Sequence, residues 1–267
     1  MIDIGANLTH ESFHEDLDAV LQRAENAGVE RIVVTGSGLE CSRQALALAQ
    51  AYPARLACTA GVHPHHAASH GAAEFVHIAD LAAVAEVRAV GETGLDFYRD
   101  FSPRVDQERA FEVQLEIAAD TGLPVFLHER DAHTRFIAIL ARYRDRISAA
   151  VVHCFTGDRE SLAAYLDMDL YVGLTGWICD ERRGAHLWDL AGLIPDDRLM
   201  IETDAPYLLP RDLRPRPKSR RNEPMYLPRV LAAVAKARQQ PMDHLAVVTR
   251  ANAERFFNWP GDDACAA

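Results

Sequence analysis

Eight short apolar runs, each closed by turn residues and separated by helical patterns, limit what this chain can fold into. They lie at residues 2–8, 32–35, 56–60, 88–90, 124–127, 150–152, 170–173 and 199–201. Continuous rather than alternating apolar character suits strands buried on both faces. Between them, residues 104–121 place Phe111, Leu115 and Ala118 at i, i+4 and i+7, and Gly122 and Pro124 then stop the helix. Residues 12–28 predict another helix, with Phe13, Leu17, Val20, Leu21 and Ala24 on one face and Gly28 as its end. Two more helices are predicted between 224 and 257. This alternation predicts a (β/α)8 TIM-type barrel, with a doubly wound sheet as the weaker alternative. The 267 residues suit one such domain, assigned to 1–260, with 261–267 as a short tail.

Composition narrows the function classes. No apolar stretch approaches the roughly 20 residues of a membrane span. The chain opens on a strand-like segment with no basic head or cleavage site, so a cytoplasmic setting and no membrane partner are expected. Five scattered cysteines without a Cys-x-x-Cys pair read as reduced thiols. Cys154, beside His153, reads as a buried thiol rather than a nucleophile. A net charge of −11 argues against a nonspecific nucleic-acid coat protein. It leaves room for a local basic funnel, and for a metal that offsets carboxylates. A monomer is expected.

Polar motifs follow the apolar runs: Gly-Val-His-Pro-His at 61–65, Gly-Glu-Thr-Gly at 91–94, then His128, His153 and Glu-Thr-Asp at 202–204. Barrels gather the C-terminal ends of their strands into one site. His63, Glu92, His128, His153 and Asp204 should therefore converge. Singly, each has a plainer explanation: a hydrogen-bonded structural histidine, an ion-pair partner, or a turn former ahead of Pro206. Jointly they describe a divalent-metal site. Such ligands suit Zn²⁺, Mn²⁺ or Fe²⁺, and Mg²⁺ where oxygens and water dominate. Glu92 could bridge two ions, and Asp204 is the natural general base. Glu202 and Arg130 stand two residues from Asp204 and His128 in the same strand phase, as orienting or substrate-contacting groups or as an internal ion pair. Between Pro210 and Arg221 lie Arg211, Arg214, Arg216, Lys218, Arg220 and Arg221, against one acid, Asp212. Arginine suits bidentate phosphate contact, and loops after the last strands commonly bind phosphate in this fold. Arg182 and Arg183 can add to that surface. Phe97, Tyr98, Trp177 and Tyr207 are candidates to stack on bases.

The strings GVHPH, GETGLDF (91–97), FLHERDA (126–132), VVHCFTG (151–157), GLTGWICDERRG (173–184), ETDAPYLLPRDL (202–213) and RRNEP (220–224) resemble those of the TatD family of metal-dependent nucleases. The resemblance runs from the third strand almost to the end. It implies a barrel that hydrolyses phosphodiesters, and for one branch 3′→5′ exonuclease action on single-stranded DNA or RNA with Mg²⁺. Nucleic-acid degradation or DNA repair would be its setting. Glu92, His128 and His153 match the family's metal ligands, and Asp204 its strand-eight aspartate. His63 matches a pocket histidine that contacts phosphate or assists the leaving oxygen. His65, Arg130, Glu202, Arg214, Arg216, Arg220 and Arg221 are grouped as substrate-binding. One departure stands out: Gly5-Ala6-Asn7 occupies the place of a His-x-His common in the family. His10 and His14, further on, are not replacements. A single firmly bound ion is therefore expected, Mg²⁺ first, with Mn²⁺ or Zn²⁺ as options. The alternatives are a metal-dependent amidohydrolase or lactonase acting on a small molecule, and a catalytically weak nucleic-acid-binding relic.

Overall fold

A computed structural model describes residues 1–259; the predicted tail at 261–267 lies outside them. Eight parallel strands pair in strict chain order: β1 (Ile2–Ala6), β2 (Arg31–Val34), β3 (Leu56–Ala60), β4 (Val87–Asp96), β5 (Val125–Arg130), β6 (Ala150–Val152), β7 (Tyr171–Leu174) and β8 (Leu199–Ile201). Helices α1 (Leu17–Asn26), α2 (Leu39–Ala51), α3 (Ala72–Ala82), α4 (Arg104–Thr121), α5 (His133–Leu140), α6 (Arg159–Asp167) and α7 (Ala185–Ala191) lie between them. Helices α8 (Leu227–Arg238) and α9 (Met242–Phe256) follow. A doubly wound sheet would reverse its strand order at a switch point. This one does not, and its ends meet: Ala6 bridges Ala205, and the Asp204 amide donates to Gly5 O at 2.9 Å. The result is a nearly closed (β/α)8 barrel.

The barrel interior is apolar at the bottom and polar at the top. Ile2, Ile4, Val33, Ala89, Phe126, Val151 and Met200 point inward, and Phe256 and Phe257 at the end of α9 close this layer from below. The larger apolar cluster fills the space between sheet and helices. Filling the lower barrel forces chemistry to the upper rim.

Two elements differ from expectation. The first helix is split into a 3-10 turn (Glu11–Phe13) and α1. Asp16, at the start of α1, gives its carboxylate to Arg23 and Arg221 instead of capping the helix amides. Strand β4 runs to Asp96, six residues beyond the apolar run. Its pairing with β5 continues through Gly94 opposite His128 and Asp96 opposite Arg130. Gly94 makes this possible: its φ is +141°, and a Cβ there would lie 1.9 Å from His128 O.

A buried acid closes the seam between β1 and β8. Asp3 is fully buried and accepts from the Thr203 amide at 2.9 Å, the Thr203 hydroxyl and the Gly5 amide at 3.3 Å. Burial pushes its carboxyl up to about 7. An acid with a folded pKa of about 7 and an unfolded value near 4 holds its proton more tightly when folded. Stability then falls as pH rises through that window. We expect Asp3→Asn to gain stability relative to the wild type between pH 4 and pH 7, measured by urea unfolding at both ends. A gap that does not change with pH would show that Asp3 is not the group responsible.

Candidate functional site

Glu92 is the centre of the upper rim. Its Oε1 lies 2.7 Å from His153 Nε2, 2.9 Å from His128 Nδ1 and 3.3 Å from His63 Nε2. Burial alone would raise the Glu92 pKa, but the imidazoles of His153, His63 and His128 hold it well below the usual carboxylate range. Burial likewise works against charge on His153 and His128. The carboxylates of Glu92 and Glu202 nonetheless raise His153 well above the ordinary value, and Asp96 and Glu92 raise His128. Such a site demands positive charge, supplied by protons or by a cation.

Hydrogen bonds sort the three imidazoles. His63 Nδ1 accepts from the His65 amide at 3.0 Å, so its proton sits on Nε2, facing Glu92. Burial lowers its pKa to about 4, leaving it a neutral donor at pH 7. His153 lies between two carboxylates: Nδ1 is 3.4 Å from Glu202 Oε2, and Nε2 donates to Glu92 Oε1 at 2.7 Å, so a cation there would take the place of the Nε2 proton. His128 directs Nδ1 at Glu92, while its buried Nε2 has no hydrogen-bond partner among the described residues. That nitrogen is 3.4 Å from Asp96 Oδ2.

Asp96 is the site residue that sequence reasoning missed. It is 1% exposed, and its Oδ2 lies 2.8 Å from His65 Nε2. Its Oδ1 accepts the amides of Tyr98 and Arg99. The signal was present, because period-two side-chain phase puts Asp96 on the same face of β4 as Glu92.

Two of the residues grouped as substrate-binding have protein partners. Glu202 is expected either to orient a ligand or to contact substrate, on a strand phase shared with Asp204. Strand β8 ends at Ile201, and Asp204 takes a φ of +54°, so the phase does not carry over. Glu202 is fully buried: it accepts the Cys154 amide at 2.6 Å and orients His153. A Cβ on Gly5 would lie 2.5 Å from its Oε2, so glycine there makes room for the carboxylate. Arg221 was expected to meet phosphate. Its guanidinium instead donates to Asp16 at 2.8 Å and Glu223 at 2.7 Å, bracing the end of the loop against α1.

The remaining groups fall as follows. Asp204 accepts from Asn7 Nδ2 at 3.0 Å. Burial, helped by repulsion from Glu92 and Glu202 and opposed by His153, pushes its carboxyl up to about 7. Cys154 lines the cleft beside His128 and His153, and burial raises its thiol so far that it is no nucleophile at neutral pH. The cysteines among the described residues are all unpaired. His10 and His14 bond within their own turn and stay out of the site. In the basic loop Arg211 pairs with Asp180, whereas Arg214, Arg216, Lys218 and Arg220 are exposed without an acidic partner among the described residues. Arg130 lies 4.1 Å over the Tyr98 ring and Arg183 5.6 Å over that of Trp177. Tyr207 packs edge-on to His10, and Phe97 lies beneath Arg104.

The donor set fits a divalent metal. His63, Glu92 and His128 each offer a donor atom within 4.8 Å of the others. Oxygen and imidazole donors packed this closely around one buried carboxylate are what a cation would organise.

The model of the family described as TatD related DNase matches residues 2–258. This chain belongs to that family. A relative from Citrobacter rodentium named 3′-5′ ssDNA/RNA exonuclease TatD is 53% identical over 257 residues, covering 96% of this chain and 97% of its own. A relative of the same name from Pectobacterium parmentieri is 53% identical over 259 residues, covering 96% and 99%. Among solved structures, a TatD homologue from Escherichia coli K12 superposes with a TM-score of 0.89 at 30% identity, covering 97% of this chain and 98% of its own. A TatD family hydrolase from Entamoeba histolytica gives a TM-score of 0.87 at 26% identity, covering 96% and 97%. The chain is thus a nuclease-family hydrolase, and no helix among its described residues is long and apolar enough to cross a membrane.

Metal binding must expel the protons that His128 and His153 hold, so affinity should rise with pH through neutrality. Calorimetric titrations with Mn²⁺ in buffers of different ionisation enthalpy should show proton release, and Glu92→Ala should abolish binding. Asp96→Asn should weaken binding by roughly 10–100-fold, as for a group that orients a ligand. Unchanged affinity in Asp96→Asn would reduce that residue to a structural brace.

Proposed function

We infer that this protein is a metal-dependent 3′→5′ exonuclease acting on single-stranded DNA or RNA. The observation that carries this is one buried carboxylate ringed by three imidazoles, in a chain half identical to relatives named for that activity. Glu92 Oε1, His128 Nδ1, His153 Nε2 and the Asp204 carboxylate are the ligands we assign. A divalent ion held there would polarise the scissile phosphate and lower the pKa of water.

This chain's own residues do the rest. Asp204 accepts the proton of the attacking water, and positive charge beside it keeps the carboxylate ionised. His63, neutral with its proton on Nε2, donates to a phosphate oxygen or to the leaving oxygen. His65, held by Asp96, and Arg130 face the substrate from the β3 and β5 sides. Arg214, Arg216 and Arg220 carry the phosphate backbone. Mg²⁺ is the ion expected first, with Mn²⁺ and Zn²⁺ as options for a mixed set of carboxylate and imidazole donors. With Asn7 engaged by Asp204 and no histidine on β1, one tight ion per chain is the expected stoichiometry. All these groups come from one chain, so a monomer suffices for the chemistry.

The small-molecule alternative shares the barrel but gives no use to the exposed arginines after β8. The relic alternative leaves the buried donor set without a purpose.

The assay is cleavage of 5′-labelled and 3′-labelled oligonucleotides with Mg²⁺, Mn²⁺ or chelator. Stepwise shortening from the 3′ end, lost on chelation, is expected. Asp204→Asn should lose roughly 10²-fold or more in rate while still binding the strand, as for a lost general base. Near-normal turnover in that variant would move the base elsewhere.

The basic loop gives a separate test. Neutralising Arg214, Arg216 and Arg220 together should weaken strand binding and flatten the plot of log affinity against log salt by about 0.7 for each lost phosphate contact. An unchanged slope would make the loop ordinary surface.

A further inference from the structure

A groove leads away from the metal site between the ends of β4 and β5 and the loop after β7, whose Asp180 pairs with Arg211 at the start of the basic loop. Its inner end is lined by His128, His153, Cys154 and Trp177. Past Arg130 and Trp177 it widens into a cavity of about 500 Å³, bordered also by Tyr98 and Arg183. Glu129, Asp131, Thr156, Gly157 and His186 are shared with a further cavity of about 570 Å³. The two walls carry the same device. On one, Arg130 backs the Tyr98 ring at 4.1 Å; on the other, Arg183 lies 5.6 Å from the Trp177 ring. Tyr98 is 57% exposed, so its ring is not there to fill the core.

We propose that this groove seats the bases next to the scissile phosphate, with Tyr98 and Trp177 as stacking platforms and Arg130 and Arg183 neutralising the phosphates between them. The proposal rests on the nuclease assignment and adds the determinant of single-strand preference. Aromatic faces accept any base, so recognition here is sequence-tolerant. A base can reach them only after leaving its own stack, which a paired end resists. The loop after β8 reads charge along the backbone, whereas the groove between the β4–β5 and β7–β8 loops reads unpaired bases.

The test uses full-length protein loaded with Mn²⁺. Affinity is measured by fluorescence anisotropy on strands whose 3′-terminal linkages are nonhydrolysable, so the strand stays intact and the assigned metal ligands stay in place. The ligands are a single-stranded oligonucleotide and the same strand with three abasic 3′-terminal positions. Tyr98→Ala and Trp177→Ala should each weaken binding of the intact strand roughly 5- to 100-fold, in line with the stacking free energy per base. Neither should change Mn²⁺ affinity, and Trp177→Phe should restore most of the loss. On the abasic strand the alanine variants should bind no worse than their parent. Equal losses on both strands, or none on either, would overturn the proposal. Wild-type protein that cleaves no oligonucleotide would instead overturn the nuclease assignment, and the binding comparison would still decide the groove.

Discussion

A negative charge buried where three strands end is the constraint on which the upper half of this barrel depends. Glu92 is buried, and an uncompensated carboxylate there would cost several kcal/mol. Its compensation is distributed: His63 from the loop after β3, His128 from β5 and His153 from the end of β6 all reach the same oxygen. Each imidazole is fixed from behind by a different group. The His65 amide sets the tautomer of His63, Asp96 stands behind His128, and Glu202 stands behind His153. Ring orientations are therefore determined before any ion arrives, and preorganisation of this kind is what gives a metal site its geometry.

The second constraint is the seam. Parallel barrels close only if first and last strands meet, yet β8 has three residues and its successors leave regular strand geometry at once. Closure falls to side chains. Asp3 on β1 holds Thr203, Glu202 fits against Gly5, and Asn7 holds Asp204. The same contacts that close the barrel thus aim the carboxylate assigned as the base. Structure and chemistry share residues here, so substitutions at Asp3 or Gly5 should disturb both.

Strand positions and their polar ends were legible because burial on both faces and turn punctuation are local properties. Helix α4 was legible for the same reason. The illegible parts depend on partners far along the chain. Nothing near Arg221 announces that Asp16, some two hundred residues earlier, will claim its guanidinium. Nothing near Glu202 announces that Gly5 leaves space for it. The length of β4 was missed because glycines that usually end strands here permit a close approach to β5. Asp96 went unrecognised for a related reason: it lay beyond the assumed end of its strand.

The distribution of charge completes the connection to substrate. A chain of net charge −11 should repel a polyanion, and many of its arginines are paired with acids. On the outer wall Arg135, Arg142 and Arg146 pair with Glu108, Glu112 and Glu116 across α4, α5 and the turns after it. At the mouth the pattern reverses. Arg214, Arg216, Lys218 and Arg220 stand exposed in the loop after β8, and Arg130 and Arg183 lie over aromatic rings. Pairing on the wall beside these unpaired cations at the rim is the kind of charge distribution that raises the encounter rate of a charged ligand without making the whole surface adhesive. An acidic protein can in this way keep unpaired cations close to its site while its wall stays neutralised.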